Sequence, residues 1–128
     1  MAYRVLVIND DLATLNMYVN VLTFSGYEVT TRAAPETIVA DLQELQPDVV
    51  IVDWLDEHEA LGLPAIEALL SHGLSRQPSL IVCSAAVPEV KEARASLLAQ
   101  GVQVLYKPLE IHMLQAALTQ AIQSEASI

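Results

Sequence analysis

The chain is short of basic residues, of cysteine and of long apolar runs, and each shortage excludes something. Its 6 lysines and arginines stand against 16 aspartates and glutamates, for a formal net charge of −10. Such a surface repels nucleic-acid backbones and anionic membranes, so direct binding to either is not expected. A cation or a basic protein surface is the more natural partner. Cys83 is the single cysteine, which rules out an intramolecular disulfide and suits a reducing compartment. Inside an apolar strand it reads as a small buried hydrophobe. No apolar run approaches the roughly 20 residues of a membrane-spanning helix. Strand-like sequence follows Met1 at once, which leaves no room for a signal peptide, and a cytoplasmic location is expected. His58, His72 and His112 lack metal-ligand spacing. No internal repeat, linker or low-complexity tract is present.

What is there is a core. The 128 residues are 53% hydrophobic, enough for one domain without disulfides. Short apolar runs occur at Arg4–Ile8, Asp48–Val52, Leu80–Ser84 and Val102–Tyr106, with a weaker one at Tyr27–Thr31. They lack strict alternation, as strands covered on both faces do. Between them, helical spacing runs over Leu12–Ser25, Pro35–Leu45, Pro64–His72, Glu89–Gln100 and Glu110–Ser124. Gly26, Gly73 and Gly101 fall at helix ends, and Pro35, Pro64 and Pro88 at helix starts. Strands alternating with helices predict an α/β fold, a doubly wound five-stranded parallel sheet with five helices. Residues 1–124 form the expected domain and 125–128 a frayed tail.

In an open parallel sheet the residues after each strand share one crevice. Here these are Asn9, Asp10 and Asp11 after the first run, Asp53 after "VVIV", Ser84 closing "LIVC" and Lys107 after "VQVLY". Crowded carboxylates repel unless a cation sits between them. Oxygen donors at a partly open site suit Mg²⁺ (or Mn²⁺), and a carboxylate beside it is able to attack phosphorus and form an acyl phosphate. Lys107 would neutralise a phosphoryl oxygen, and Ser84 would donate a hydrogen bond to another. Small Ala85 and Ala86 leave the approach clear.

The sequence resembles a response-regulator receiver domain, the phospho-acceptor module of two-component signalling, over essentially its whole length. The resemblance rests on "VLVINDD", "PDVVIVDW", "LIVCSAA" and "LYKPL", in this order and at these spacings. It implies a flavodoxin-like (βα)₅ fold with strand order 2-1-3-4-5. Asp53 matches the phosphorylated aspartate, and Asp10 a metal ligand. Leu55 would offer its backbone carbonyl to the metal, with Asn9 a weak or water-mediated ligand. Ser84 and Lys107, with the Ala85 backbone, would contact the phosphoryl group, and the Lys107–Pro108 bond would be cis. The implied donor is a histidine kinase or histidine phosphotransfer protein. The implied output is protein contact, including a homodimer through the fourth helix, fifth strand and fifth helix.

Certain positions depart from the family's pattern. The first acid of the pair falls on Asn9, which keeps an oxygen but loses a charge. After the acceptor, Asp56 and Glu57 replace the usual Met-Pro, followed by His58 and Glu59. These acids either oppose a dianionic donor or supply the charge that Asn9 lacks. The aromatic residue expected three before the lysine is Val104, while Tyr106, next to Lys107, is read as pointing to the other side of the strand.

Two function classes therefore stand beside the phospho-acceptor. One is a degenerate receiver kept as a phosphorylation-independent interaction or dimerisation module. The other is a Mg²⁺-dependent phosphatase with Asp53 as nucleophile, disfavoured because Leu55 stands where such enzymes carry an acid. The receiver reading is not an enzyme. On the first helix, Met17, Tyr18, Val21 and Leu22 form a stripe toward the sheet, and Leu12, Leu15 and Val19 widen it. Leu12 and Leu15 read as partner-docking residues beside the site. Trp54 either covers the site mouth or anchors a partner.

Overall fold

Strict alternation is missing from the strands because both faces of the sheet are covered. The computed structural model describes residues 3–9, 11–32, 38–54, 78–84, 88–106 and 111–126. In chain order the elements are β1 (Arg4–Ile8), α1 (Leu12–Phe24), β2 (Glu28–Arg32), α2 (Ile38–Leu45), β3 (Val49–Trp54), β4 (Ser79–Ser84), α3 (Pro88–Ala99), β5 (Gln103–Tyr106) and α4 (Ile111–Ala126). The strands pair in parallel as one five-stranded sheet, ordered β2-β1-β3-β4-β5. The helix expected over Pro64–His72 lies outside the described residues, so α3 and α4 correspond to the fourth and fifth expected helices. Helix α4 runs through Ala126, past the boundary expected at residue 124.

Strand parity sorts the core into two clusters. Leu6, Ile8, Val50, Val52, Leu80 and Val82 face one side, where Leu42 of α2 and Leu97 of α3 cover them. Val5, Val7, Val49, Ile51, Ile81 and Cys83 face the other. There they meet Leu15, Tyr18 and Leu22 of α1 and Leu114, Ala117, Leu118 and Ala121 of α4. A fully buried side chain such as Leu22 contributes about 1.5–3 kcal/mol over an exposed one. Edge strands β2 and β5 are only half-buried.

The α1 stripe differs from the expected one. Its buried residues are Leu15, Tyr18 and Leu22, spaced three and four apart as one helix face requires, whereas Met17 is exposed. The wide apolar arc left the stripe's centre undefined, and packing against α4 and the sheet set it one position away. Tyr106 also differs from its reading. Val104 and Tyr106 both pack against the α2/α3 cluster, so the ring lies on the same face as Val104.

Helix ends follow from their residues. Gly26 (φ 94°) and Gly101 (φ 86°) adopt left-handed conformations after α1 and α3. In each, two bonds close the last turn: Gly26 N–H to the Thr23 carbonyl with Tyr27 N–H to Leu22, and Gly101 N–H to Leu98 with Val102 N–H to Leu97. Tyr27 is thus part of a cap, which moves β2 one residue beyond its expected start. After α2, Gln46 takes the left-handed position itself (φ 47°) and donates to the Leu42 carbonyl, ahead of Pro47.

The N-terminal edge of the sheet is stitched by Asp48. Its Oδ2 accepts the Arg4 N–H at 2.8 Å. Its own N–H donates to the Arg4 carbonyl at 2.8 Å, and its carbonyl accepts the Ser79 N–H at 3.0 Å. One buried residue therefore ties the starts of β1, β3 and β4. Beside it, the Arg4 guanidinium donates to the Leu45 carbonyl and pairs loosely with Glu28.

Candidate functional site

The register brings three of the expected site positions, Asn9, Asp53 and Ser84, to one edge. Ile8 of β1 pairs with Val52 of β3, so Asn9 and Asp53 follow as neighbours at the C-terminal ends of adjacent strands. In turn, Asp53 pairs with Cys83 and Trp54 with Ser84 on β4. The ladder continues through both, so Asp53 lies within β3 and not after it; the expected strand Asp48–Val52 is corrected to Val49–Trp54. Polarity did not end the strand because pairing with β4 continues. The description of Asp53, Trp54 and Ser84 extends to the backbone. Asp10, Leu55, Ala85, Ala86, Lys107 and Pro108, with the acidic loop Asp56–Glu59, lie outside the described residues.

Asn9 is the site residue whose environment is most fully drawn. It is 2% exposed, and its N–H donates to the Arg32 carbonyl at 3.0 Å, extending the β1–β2 ladder. Its Oδ1 accepts the Asp11 N–H at 2.7 Å, an Asx turn that leads the chain into α1. Its Nδ2 is buried, with no hydrogen-bond partner among the described residues. Leaving such a donor unsatisfied costs about 1–3 kcal/mol.

Asp11 is turned toward the helix. It is the N-cap residue of α1, and its Oδ2 accepts the Thr14 hydroxyl at 2.6 Å. Arg32, at the end of β2, pairs with the buried Asp41 of α2 at 3.3 Å, on the α2/α3 side of the sheet. Its guanidinium is thereby committed to structure.

The two docking leucines separate. Leu12 is 71% exposed, while Leu15 is 5% exposed and packs in the α1/α4 cluster. The expectation for Leu15 is corrected: its helix position points to the sheet. A second exposed apolar residue was not singled out from the sequence. Ile111, the first residue of α4, is exposed. Since α1 and α4 cover the same face and both begin at the C-terminal edge, Leu12 and Ile111 present apolar surface on the rim of the crevice.

A hard cation at this edge would need oxygen ligands. Asp10, Asp53 and the Leu55 carbonyl are of the right chemical kind. Asn9 offers less: it carries no charge, its oxygen already accepts the Asp11 N–H, and its nitrogen can only donate.

Comparison with known proteins agrees with this geometry. The family model for the response regulator receiver domain matches residues 5–119, and the chain belongs to that family. No curated protein matches it significantly. Among solved structures, a CheY-like receiver domain protein from Methanospirillum hungatei JF-1 is 21% identical with TM-score 0.79, covering 100% of both chains. Chemotaxis response regulator CheY4 of Vibrio cholerae is 24% identical with TM-score 0.77, over 94% of this chain and 99% of that one. A response regulator receiver domain from Bermanella marisrubri is 21% identical with TM-score 0.80, over 95% of this chain and 99% of that one. These likenesses establish the flavodoxin-like fold shared with CheY-like proteins.

Proposed function

We propose that this receiver domain accepts a phosphoryl group on Asp53 from a phosphohistidine of a partner kinase or phosphotransfer protein, and signals through protein contacts. The observation that carries the reading is the register that gathers Asn9, Asp53 and Ser84 at one sheet edge in a chain matching the receiver family. In the transfer an Asp53 carboxylate oxygen attacks phosphorus, the P–N bond breaks, and its electron pair stays on the imidazole nitrogen, which takes up a proton. Asp10, Asp53 and the Leu55 carbonyl would hold Mg²⁺ or Mn²⁺, which supplies charge neutralisation in such in-line transfers. Ser84, Lys107 and the Ala85 backbone receive the phosphoryl oxygens. The phosphorylated state biases an equilibrium at α3, β5 and α4, where Val104 and Tyr106 pack against the α2/α3 cluster. Leu12 and Ile111 meet the donor's helices, and a homodimer through α3, β5 and α4 is a further output.

Incubation with Mg²⁺ and a small acyl-phosphate donor, followed by intact mass, tests the reading. A single phosphoryl adduct is expected, lost in Asp53→Asn. No adduct, or one that survives Asp53→Asn, overturns it; transfer from a phosphorylated histidine kinase is the stronger form of the same test. Asn9, an uncharged residue where the family carries an acid, with its buried Nδ2 unbonded among the described residues, favours a second reading, a receiver used as a constitutive interaction module. That reading requires partner binding unchanged by Asp53→Asn.

A further inference from the structure

We infer that Asn9 serves the strand-end crevice as a fixed amide donor to the carboxylate of Asp53, and not as a ligand to a cation. The inference rests on reading Asp53 as an anionic site residue, and it gives the departure at position 9 a role of its own.

An asparagine has acceptor sites on oxygen and donor sites on nitrogen. Only an acceptor can meet the Asp11 N–H, so the 2.7 Å contact identifies the oxygen and leaves the nitrogen on the opposite branch of the amide. The residue is buried, and its Nδ2 has no partner among the described residues. Buried donors are rarely left so. The packed part of the fold does not supply the missing acceptor, and the register sets the backbone of Asp53 beside Asn9. Because Ile8 pairs with Val52, Asn9 and Asp53 occupy neighbouring positions on strands about 4.8 Å apart. Parity places both positions with Val7 and Ile51, on the side packed by α1 and α4. Two carboxylates in these positions repel until a cation separates them. A carboxylate beside an amide donor is stabilised without one. The substitution of amide for acid therefore trades metal affinity for a resting site that holds its acceptor in metal-free solution.

Asn9→Asp tests this with little disturbance, since it keeps the acceptor for Asp11 N–H and exchanges only the donor for a charge. Thermal melts of the full chain in EDTA and in millimolar Mg²⁺ are compared with calorimetric Mg²⁺ titrations of wild type, Asn9→Asp and Asn9→Ala. Asn9→Asp is expected to melt below wild type in EDTA and to recover in Mg²⁺. It is also expected to bind the ion about tenfold more tightly, or better, as a second carboxylate should. Asn9→Ala is expected to bind Mg²⁺ within about twofold of wild type, because no ligand is lost. An Asn9→Asp protein indistinguishable from wild type in EDTA overturns the inference, because position 9 then faces no anion. A tenfold loss of Mg²⁺ affinity in Asn9→Ala overturns it as well, because the oxygen would then be a ligand. Should Asn9→Ala fail to fold, Asn9→Ser replaces it, since a hydroxyl also accepts the Asp11 N–H. These readouts do not depend on phosphorylation, so a protein that forms no acyl phosphate leaves them intact, and the two readings fall separately.

Discussion

Asp48 and Asn9 are both buried polar residues at strand ends, on opposite edges of one sheet. Asp48 is surrounded by partners: its carboxylate, N–H and carbonyl are all bonded to β1 and β4. Asn9 bonds through its oxygen and its backbone N–H, while its amide nitrogen is left without a partner among the described residues. The first arrangement closes the sheet. The second holds a donor ready at the edge where the strands deliver Asp53. Burial alone does not separate a structural polar residue from a functional one; the state of its hydrogen bonds does.

The largest expected effect is at the closed edge. Asp48→Ala removes the carboxylate that accepts the Arg4 N–H and is expected to cost about 2 kcal/mol in urea unfolding, as a bond to a charged acceptor is worth more than one to a neutral amide. Asn9→Ala is expected to cost about 1 kcal/mol, because the freed Asp11 N–H belongs to an exposed residue and finds water. Equal losses at the two positions would break the comparison. A pH series sharpens it. Burial, and after it the nearby Tyr3, raise the Tyr27 hydroxyl above its ordinary value at the closed edge. Folding keeps this group neutral, so its contribution to stability is fully present below the unfolded value of about 10 and is lost as pH rises through the folded value. Unfolding free energy should therefore decline more steeply above pH ~10 in wild type than in Tyr27→Phe. The smallest effect is expected at Gln46, whose left-handed backbone a glycine adopts without strain. Gln46→Gly is expected to gain about 0.5 kcal/mol in the same denaturation assay, the relief of strain slightly exceeding the added chain entropy.

Much of the fold was legible because parallel strands buried on both faces announce themselves as apolar runs. Arg4–Ile8 matches its expected bounds, and the remaining strands shift by one or two residues. The shifts have local causes, such as the cap that takes Tyr27 from β2 and the β4 pairing that carries β3 through Asp53. The meeting of Asn9, Asp53 and Ser84 at one edge was legible from their places at strand ends, since crossover topology collects such positions whatever lies between. Less legible were the facings. On α1, seven apolar positions spread over a wide arc gave no reason to separate Leu12 from Leu15, and only packing against α4 and the sheet decided that Leu15 is core. Ile111 gave no signal, because an apolar residue at a helix start reads as core until its neighbours are in place.

By itself, the amino-acid order determined the alternation of strands and helices, the parallel sheet and the edge at which its polar residues gather. These follow from hydrophobic patterning and from glycine and proline at helix ends, which are local properties. Tertiary structure decided which side chains of α1 reach solvent, how Asp48 joins three strands, and that Asn9 is buried with its oxygen on the Asp11 N–H. Those outcomes depend on register and on groups far apart in the chain, and a hydrogen bond has no address until the strands that carry its two ends have paired.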